Sequence, residues 1–308
     1  MTQLIKGLHH VTSKSSDPRG TDRFWRSVLG LRRIKQTVNF DNPKVYHLYY
    51  GNEAGEPGTV MTYFPFPGLA RGTHGTGEVR YCALSVPPGS LDFWEARLVA
   101  SGAHEVFQDT WFDTPCLNFE APDGDQFRLV EQANDPRRAY LGSGVGDAAI
   151  RGFEGVTLTL SDIGSTAEIL EAFGYQQVAT ERNVTRYHLP HNNGAGVVDL
   201  ETAPDLPKSI EGAGSVHHIA FAVQDRAAQA EIRDLMLAAG QRVTHVYDRN
   251  YFYAIYFRTE GGVLFEVATY EPGFDADEDI ATLGEALMLP EQHEHLREEL
   301  NDGLMPLD

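Results

Sequence analysis

The 308 residues contain only two cysteines, Cys82 and Cys116. Such a pair cannot build a disulfide framework or a thiolate metal cage, and both sit in apolar, strand-like surroundings that suit packing. The chain also lacks any apolar run approaching the ~18 residues of a membrane-spanning helix, and its start, MTQLIKGLHH, is not a signal peptide. A reducing cytoplasm is the expected location. Positive charge is scarce: 25 Lys and Arg stand against 44 Asp and Glu, a formal net charge of −19. That balance argues against nucleic acid and anionic membranes as partners. Missing too are a nucleophile elbow, a phosphate loop and a dinucleotide fingerprint, since Gly142-Ser143-Gly144-Val145-Gly146 follows no strand pattern.

What the chain does have is apolar content of 42% and aromatic content of 10%, enough for a globular protein with two ordinary cores. The acidity is concentrated at one end. From Glu271 to Asp308 there are 12 acidic residues and one Arg, a net −11. Ile280, Leu283, Leu287 and Leu289 in the same stretch predict an amphipathic helix with a solvated acidic face.

The chain repeats. Four units each open on a short apolar strand, continue through a helix ending near a Gly, and close with three strands. The opening strands read LHHVTSKSSD from Leu8, VRYCALSVPP from Val79, FEGVTLTLSD from Phe153 and VHHIAFAVQD from Val216. The glycines fall at Gly30, Gly102, Gly174 and Gly240, where a left-handed cap is expected. Helix starts are flagged by Asp17-Pro18, Pro88-Gly89-Ser90 and Ser165-Thr166, and closing hairpins by Pro122-Asp123-Gly124, Asn192-Asn193-Gly194 and Glu260-Gly261-Gly262. The expected class is α+β: four βαβββ modules in two domains, with paired modules forming cupped mixed sheets. The expected boundaries are 1–132 and 152–270 for the two halves, 133–151 for a linker and 271–308 for an acidic helical tail. One unit cannot cover its own sheet, so units must pair and leave a cleft between them.

Aligning the opening strands puts His10, Tyr81, Gly155 and His218 at one equivalent position. Aligning the closing strands GTVMTY, GDQFRL, AGVVDL and GVLFEV puts Thr62, Arg128, Leu200 (Glu201 if the third slips by one) and Glu266 at the other. Modules one and four therefore carry two imidazoles and a carboxylate, whereas modules two and three carry nothing that holds a metal. One live cleft and one dead cleft are expected. Two His and one carboxylate with open positions suit Fe(II) and oxygen chemistry, and such a site also accepts other divalent ions, Mn(II) among them. A lone strand histidine is ordinarily a packing residue. Two HH pairs at equivalent positions, with Glu266 on the apolar strand Val263–Val267, form a stronger signal because a buried carboxylate must be paired or metal-bound. Side chains alternate along a strand, so His9 and His217 are expected behind the ligands, with Thr12 on the face of His10.

With these residues in view, the chain resembles the vicinal oxygen chelate superfamily of glyoxalase I, bleomycin-resistance proteins and extradiol dioxygenases. HHVT, VHHIAF and DRNYFYAIYFRTEGGVLFEVAT are most similar to its hydroquinone-type ring-cleaving dioxygenases. The resemblance implies His10, His218 and Glu266 as Fe(II) ligands, and His9, Thr12 and His217 as residues surrounding the metal. It further implies Arg249 and Tyr256 near a small aromatic substrate that reacts with O2. Three alternatives stay open at this point: an extradiol enzyme for catechols, a glyoxalase-type isomerase, and a protein that only binds aromatic compounds. The isomerase ordinarily wants two carboxylates, and Thr62 stands where the second would be. Ring substituents and assembly into a homo-oligomer are not legible here.

Overall fold

The computed structural model describes residues 3–307. Module one comprises β1 (Ile5–Ser15), α1 (Pro18–Arg23), β2 (Arg32–Asn39), β3 (Asn42–Gly51) and β4 (Val60–Pro65). Module two comprises β5 (Glu78–Val86), α2 (Leu91–Ser101), β6 (His104–Trp111), β7 (Thr114–Glu120) and β8 (Gln126–Glu131). Module three follows with β9 (Gly152–Leu160), α3 (Gly164–Ala172), β10 (Gln176–Glu181), β11 (Val184–His188) and β12 (Val197–Thr202). Module four has β13 (Val216–Val223), α4 (Arg226–Ala238), β14 (Tyr247–Asp248), β15 (Phe252–Arg258) and β16 (Leu264–Pro272).

Local chemistry sets these boundaries. Asp17 caps α1 by accepting from the Arg19 N–H, with Pro18 in the first turn, and Asp225 caps α4 by accepting from the Ala228 N–H. Each helix gives way to a glycine in the left-handed region: φ is 72° at Gly30, 80° at Gly102, 96° at Gly174 and 82° at Gly240. Between β8 and β9 there is no strand, only a 3₁₀ turn at Gly146–Ala148.

The strands form two mixed eight-stranded sheets curled into half-barrels, and neither sheet belongs to one half of the sequence. The first runs β14-β15-β16-β13-β1-β4-β3-β2 and the second β10-β11-β12-β9-β5-β8-β7-β6. Modules one and four thus share a cup, as do modules two and three. At each centre two opening strands pair antiparallel, β1 with β13 and β5 with β9, and each opening strand lies parallel to the closing strand of its own module. The faces opposite the cups pack on the helices, and Trp25, Trp94, Leu170 and Ile232 join Phe127, Phe153 and Phe221 in one apolar cluster. Burying each such large apolar side chain contributes about 1.5–3 kcal/mol. The connections between modules run side by side, with bridges Arg71 to Ala213 and Thr73 to Ile210. Their backbones approach so closely that a Cβ on Gly75 would lie 2.2 Å from the Pro207 oxygen.

The acidic tail departs from expectation. Residues 280–289 hold one 3₁₀ turn, Ile280–Thr282, and then an extended strap rather than an amphipathic helix. Gly284 adopts φ 75°, which breaks a helix, and Leu287 bridges Gln36 on the open edge β2. Leu283 and Leu289 are buried by the strap, while Ile280 is exposed. Two of its acidic side chains turn to an inward partner: fully buried Lys35 is held by Asp277 at 2.7 Å and Glu278 at 2.5 Å. A helix, α5 (Arg297–Gly303), forms only near the end. Both cysteines are buried free thiols, and among the described residues no helix is long and apolar enough to cross a membrane.

Candidate metal centre

The metal candidates come together at the centre of the first cup. His10 arrives on β1, His218 on the antiparallel neighbour β13, and Glu266 on β16, the next strand beyond β13. Their ligand atoms lie within 4.8 Å of one another. His218 Nε2 is 2.9 Å and His10 Nε2 is 3.4 Å from the same Glu266 oxygen, and the two Nε2 atoms are 3.3 Å apart. All three residues are buried, Glu266 with 0% exposure.

The donor set fits a divalent cation. Neither Glu266 oxygen receives a well-formed hydrogen bond from the protein, although the His218 and His10 nitrogens stand close to one of them. That proximity reads as convergence on a common point, because the tautomers leave a ring nitrogen bare. The Thr269 carbonyl only accepts, so His9 Nε2 donates to it at 3.1 Å. Neutral His9 then accepts at Nδ1 from His10 Nδ1 at 2.9 Å, which leaves His10 Nε2 with its lone pair toward Glu266. His217 Nδ1 makes the matching contact to His218 Nδ1 at 2.8 Å. Burial and the adjacent His10 lower the His9 pKa to about 3, and burial and His218 do the same for His217. Burial alone would push the Glu266 carboxyl up, but positive charge placed at His10 and His218 outweighs it and holds the group well below the usual range, and with both rings neutral that charge is the part of a bound cation.

The centre opens into a cavity of about 460 Å³ walled by aromatic rings, among them Phe40, Phe64, Tyr247 and Phe252. Arg249 and Tyr256 line it, and Arg249 Nε donates to the Tyr256 hydroxyl at 3.2 Å. Thr12 lies opposite His218 in the β1–β13 register and accepts from Thr62 at 2.8 Å. His217 faces the cavity while His9 sits behind His10. All eight candidates read from the sequence therefore gather in one region. Among the lining residues that the sequence did not single out are three polar ones, His47, Tyr49 and Lys14. His47 and Tyr49 alternate on one face of β3, a signal that any half-buried strand carries.

The sequence pattern of the Glyoxalase/Bleomycin resistance protein/Dioxygenase superfamily matches residues 7–267. The chain belongs to this superfamily. Within it, MhqO of Bacillus subtilis, classed as a ring-cleaving dioxygenase, is 40% identical over 310 residues, covering 100% of this chain and 98% of its own. The chlorohydroquinone/hydroquinone 1,2-dioxygenase of Sphingobium indicum is 32% identical over 314 residues, covering 97% and 96%. A crystal structure of a Bacillus subtilis protein classed as a dioxygenase superimposes with a TM-score of 0.95 at 39% identity, covering 100% of this chain and 99% of that one. The chain is accordingly an enzyme, a dioxygenase of the superfamily.

The superfamily's paired-module plan also corrects one alignment. In each module the residue two beyond the opening-strand position pairs with the closing position: Thr12 with Thr62, Ala83 with Arg128, Thr157 with Asp199 and Ala220 with Glu266. Asp199, not Leu200 or Glu201, is therefore the counterpart of Glu266. Leu200 points the other way, into the core behind the sheet. The dead cleft does hold a carboxylate, but Arg186 grips it with two bonds of 2.8 Å.

Proposed function

We propose that this chain is an Fe(II)-dependent ring-cleaving dioxygenase that opens a para-dihydroxy aromatic ring with O2. The observation that carries the reading is the buried His10–His218–Glu266 cluster at the base of an aromatic-walled cavity, its carboxylate oxygens left without donors. Two imidazoles and one carboxylate are the ligand set of non-haem Fe(II) oxygenases, with Mn(II) as the other candidate occupant. When bound, Fe(II) acidifies a coordinated ring hydroxyl and supplies the redox chemistry that O2 requires. The para preference follows the Sphingobium relative, which is named for hydroquinones.

The chain's own residues bind, orient and exclude water. Phe40, Phe64 and Phe252 give the ring apolar walls. His9 fixes the tautomer of His10, and His217 contacts His218 in the matching way. Arg249 donates to the Tyr256 oxygen, so the Tyr256 hydrogen stays free to point at an oxyanion forming on the ring. Burial and the nearby Glu266 push the Tyr256 pKa well above its ordinary value, which keeps that hydrogen in place.

The test is oxygen uptake by protein loaded anaerobically with Fe(II) and offered hydroquinone and catechol in parallel. Uptake with hydroquinone and little with catechol is expected. Preference for catechol would move the enzyme to the ortho-diol class. No uptake with either, despite bound iron, would leave the isomerase and the aromatic-binding protein as the surviving readings.

A further inference from the structure

Two tyrosines flank the metal centre at equivalent positions. Tyr49 pairs with Thr62 across β3 and β4, as Tyr256 pairs with Glu266 across β15 and β16. Both line the cavity wall, Tyr49 buried and Tyr256 partly buried. Thr62 occupies the corner that mirrors Glu266, so the wall of modules one and four is ligand-bearing on one side and ligand-free on the other.

The two hydroxyls are wired in opposite senses. Thr62 Oγ1 spends its single hydrogen on Thr12 Oγ1 at 2.8 Å. Facing His47 Nε2 at 2.9 Å, it must therefore accept, so His47 Nε2 carries a hydrogen. Burial, with His10 and His218 adding to it, drives the His47 pKa well below the ordinary imidazole value, and the ring is neutral. Its Nδ1 is then an acceptor, and Tyr49 donates into it at 2.8 Å. The Tyr49 hydrogen is thus committed away from the ligand, and its oxygen offers lone pairs alone. Tyr256, by contrast, receives Arg249 and keeps its hydrogen.

A para-diol cannot place both oxygens on one ion. One hydroxyl binds at the centre, and the other, still carrying its hydrogen, needs an acceptor on the far wall. A catechol, which places both oxygens on the ion, has no such need. We infer that Tyr49 is the acceptor for the free hydroxyl of the para-dihydroxy ring, held in that role by the positioning residues His47 and Thr62. The inference rests on the ring-cleavage reading of the same cavity and makes Tyr49 its para-selective element.

The experiment is anaerobic calorimetric titration of the Fe(II)-loaded protein with hydroquinone and with 4-methoxyphenol, which keeps the far oxygen and lacks its hydrogen. Tyr49→Phe is expected to weaken hydroquinone binding by about three- to tenfold, the effect of one neutral hydrogen bond. The same substitution should leave 4-methoxyphenol unchanged or tighter. His47→Leu, which offers Tyr49 no acceptor, serves as the second variant. By releasing the Tyr49 hydrogen it should tighten 4-methoxyphenol more than hydroquinone, a narrowing of the preference that simple loss of packing does not produce. Equal weakening of both ligands, unchanged hydroquinone binding in Tyr49→Phe, or wild-type protein that does not distinguish the two ligands would overturn the assignment. Binding is read without turnover, so absent oxygen uptake alongside this binding pattern would overturn the ring-cleavage reading and leave Tyr49 as the acceptor.

Discussion

The two cups are built on the same strand order and the same registers, and they treat one buried carboxylate in opposite ways. In the first, Glu266 is left without a protein donor between two histidines. In the second, its counterpart Asp199 is saturated by two bonds from Arg186 and one from Trp111 Nε1 at 2.8 Å. The other corners follow suit. Arg128, in the place of Thr62, lies between the rings of Tyr81 and Trp111, 4.7 and 4.1 Å from their centroids. Gly155, in the place of His218, has no room for a side chain, since a Cβ there would meet the Val197 oxygen at 2.2 Å. A buried negative charge needs a cation; the second cup supplies one covalently, as arginine, and the first is suited to one that binds.

The sharpest way to break that comparison is to remove each carboxylate in turn. Glu266→Ala should abolish iron retention and lower turnover by more than about a thousandfold, checked by metal content and oxygen uptake. Retained iron and turnover would sink the centre. Next in size is His9→Phe, expected to weaken metal affinity by about 10–100-fold in a competition titration with a chromophoric chelator. In the second cup, Asp199→Asn should leave oxygen uptake within about twofold of wild type. It should nevertheless destabilise the fold by about 3 kcal/mol in denaturant melts, because Arg186 loses its partner in a buried site. A large loss of activity there would show that the two cups are coupled.

The smallest effect concerns Glu154, a buried carboxyl of the second cup that burial raises from 4.5 to about 7, against the opposing pull of Arg186. A carboxyl raised on folding adds stability below its unfolded pKa and loses it as pH climbs through the folded value. Glu154→Gln should therefore stabilise the protein by up to about 2–3 kcal/mol near pH 8 and make no difference near pH 4. Melting curves at the two pH values decide it; an equal shift at both would assign the effect to packing.

Much of this was written in the chain. The HH pairs, the apolar strand around Glu266 and the spaced glycines made the modules and the candidate ligands readable, because strand period and cap chemistry are local. Pairing of modules one and four was readable only through the ligands they share. Asp199 was missed through a slip of one residue along AGVVDL, where it stands fifth as Glu266 does in GVLFEV; hydrogen bonding to β9 fixes that register. The tail misled for a related reason. Apolar spacing at Ile280, Leu283 and Leu287 fits a helix, but the partner that decides the matter is buried Lys35, more than two hundred residues away in sequence. His47 and Tyr49 carry no motif at all; the hydrogen-bond chain that gives them meaning exists only once β3, β4 and β1 are side by side.

The nested pairing of modules also bears on synthesis. Modules two and three are neighbours in the chain and can close on each other as they emerge from the ribosome, whereas β1, made first, finds β13 only after some two hundred more residues, as the His10–His218 separation of 208 shows. Until then its inner edge is an unpaired strand bearing one of the three candidate ligands, His10. The enclosed pair of modules is the brace around which the outer pair is brought together, like the inner brackets of a sentence that must close before the outer ones.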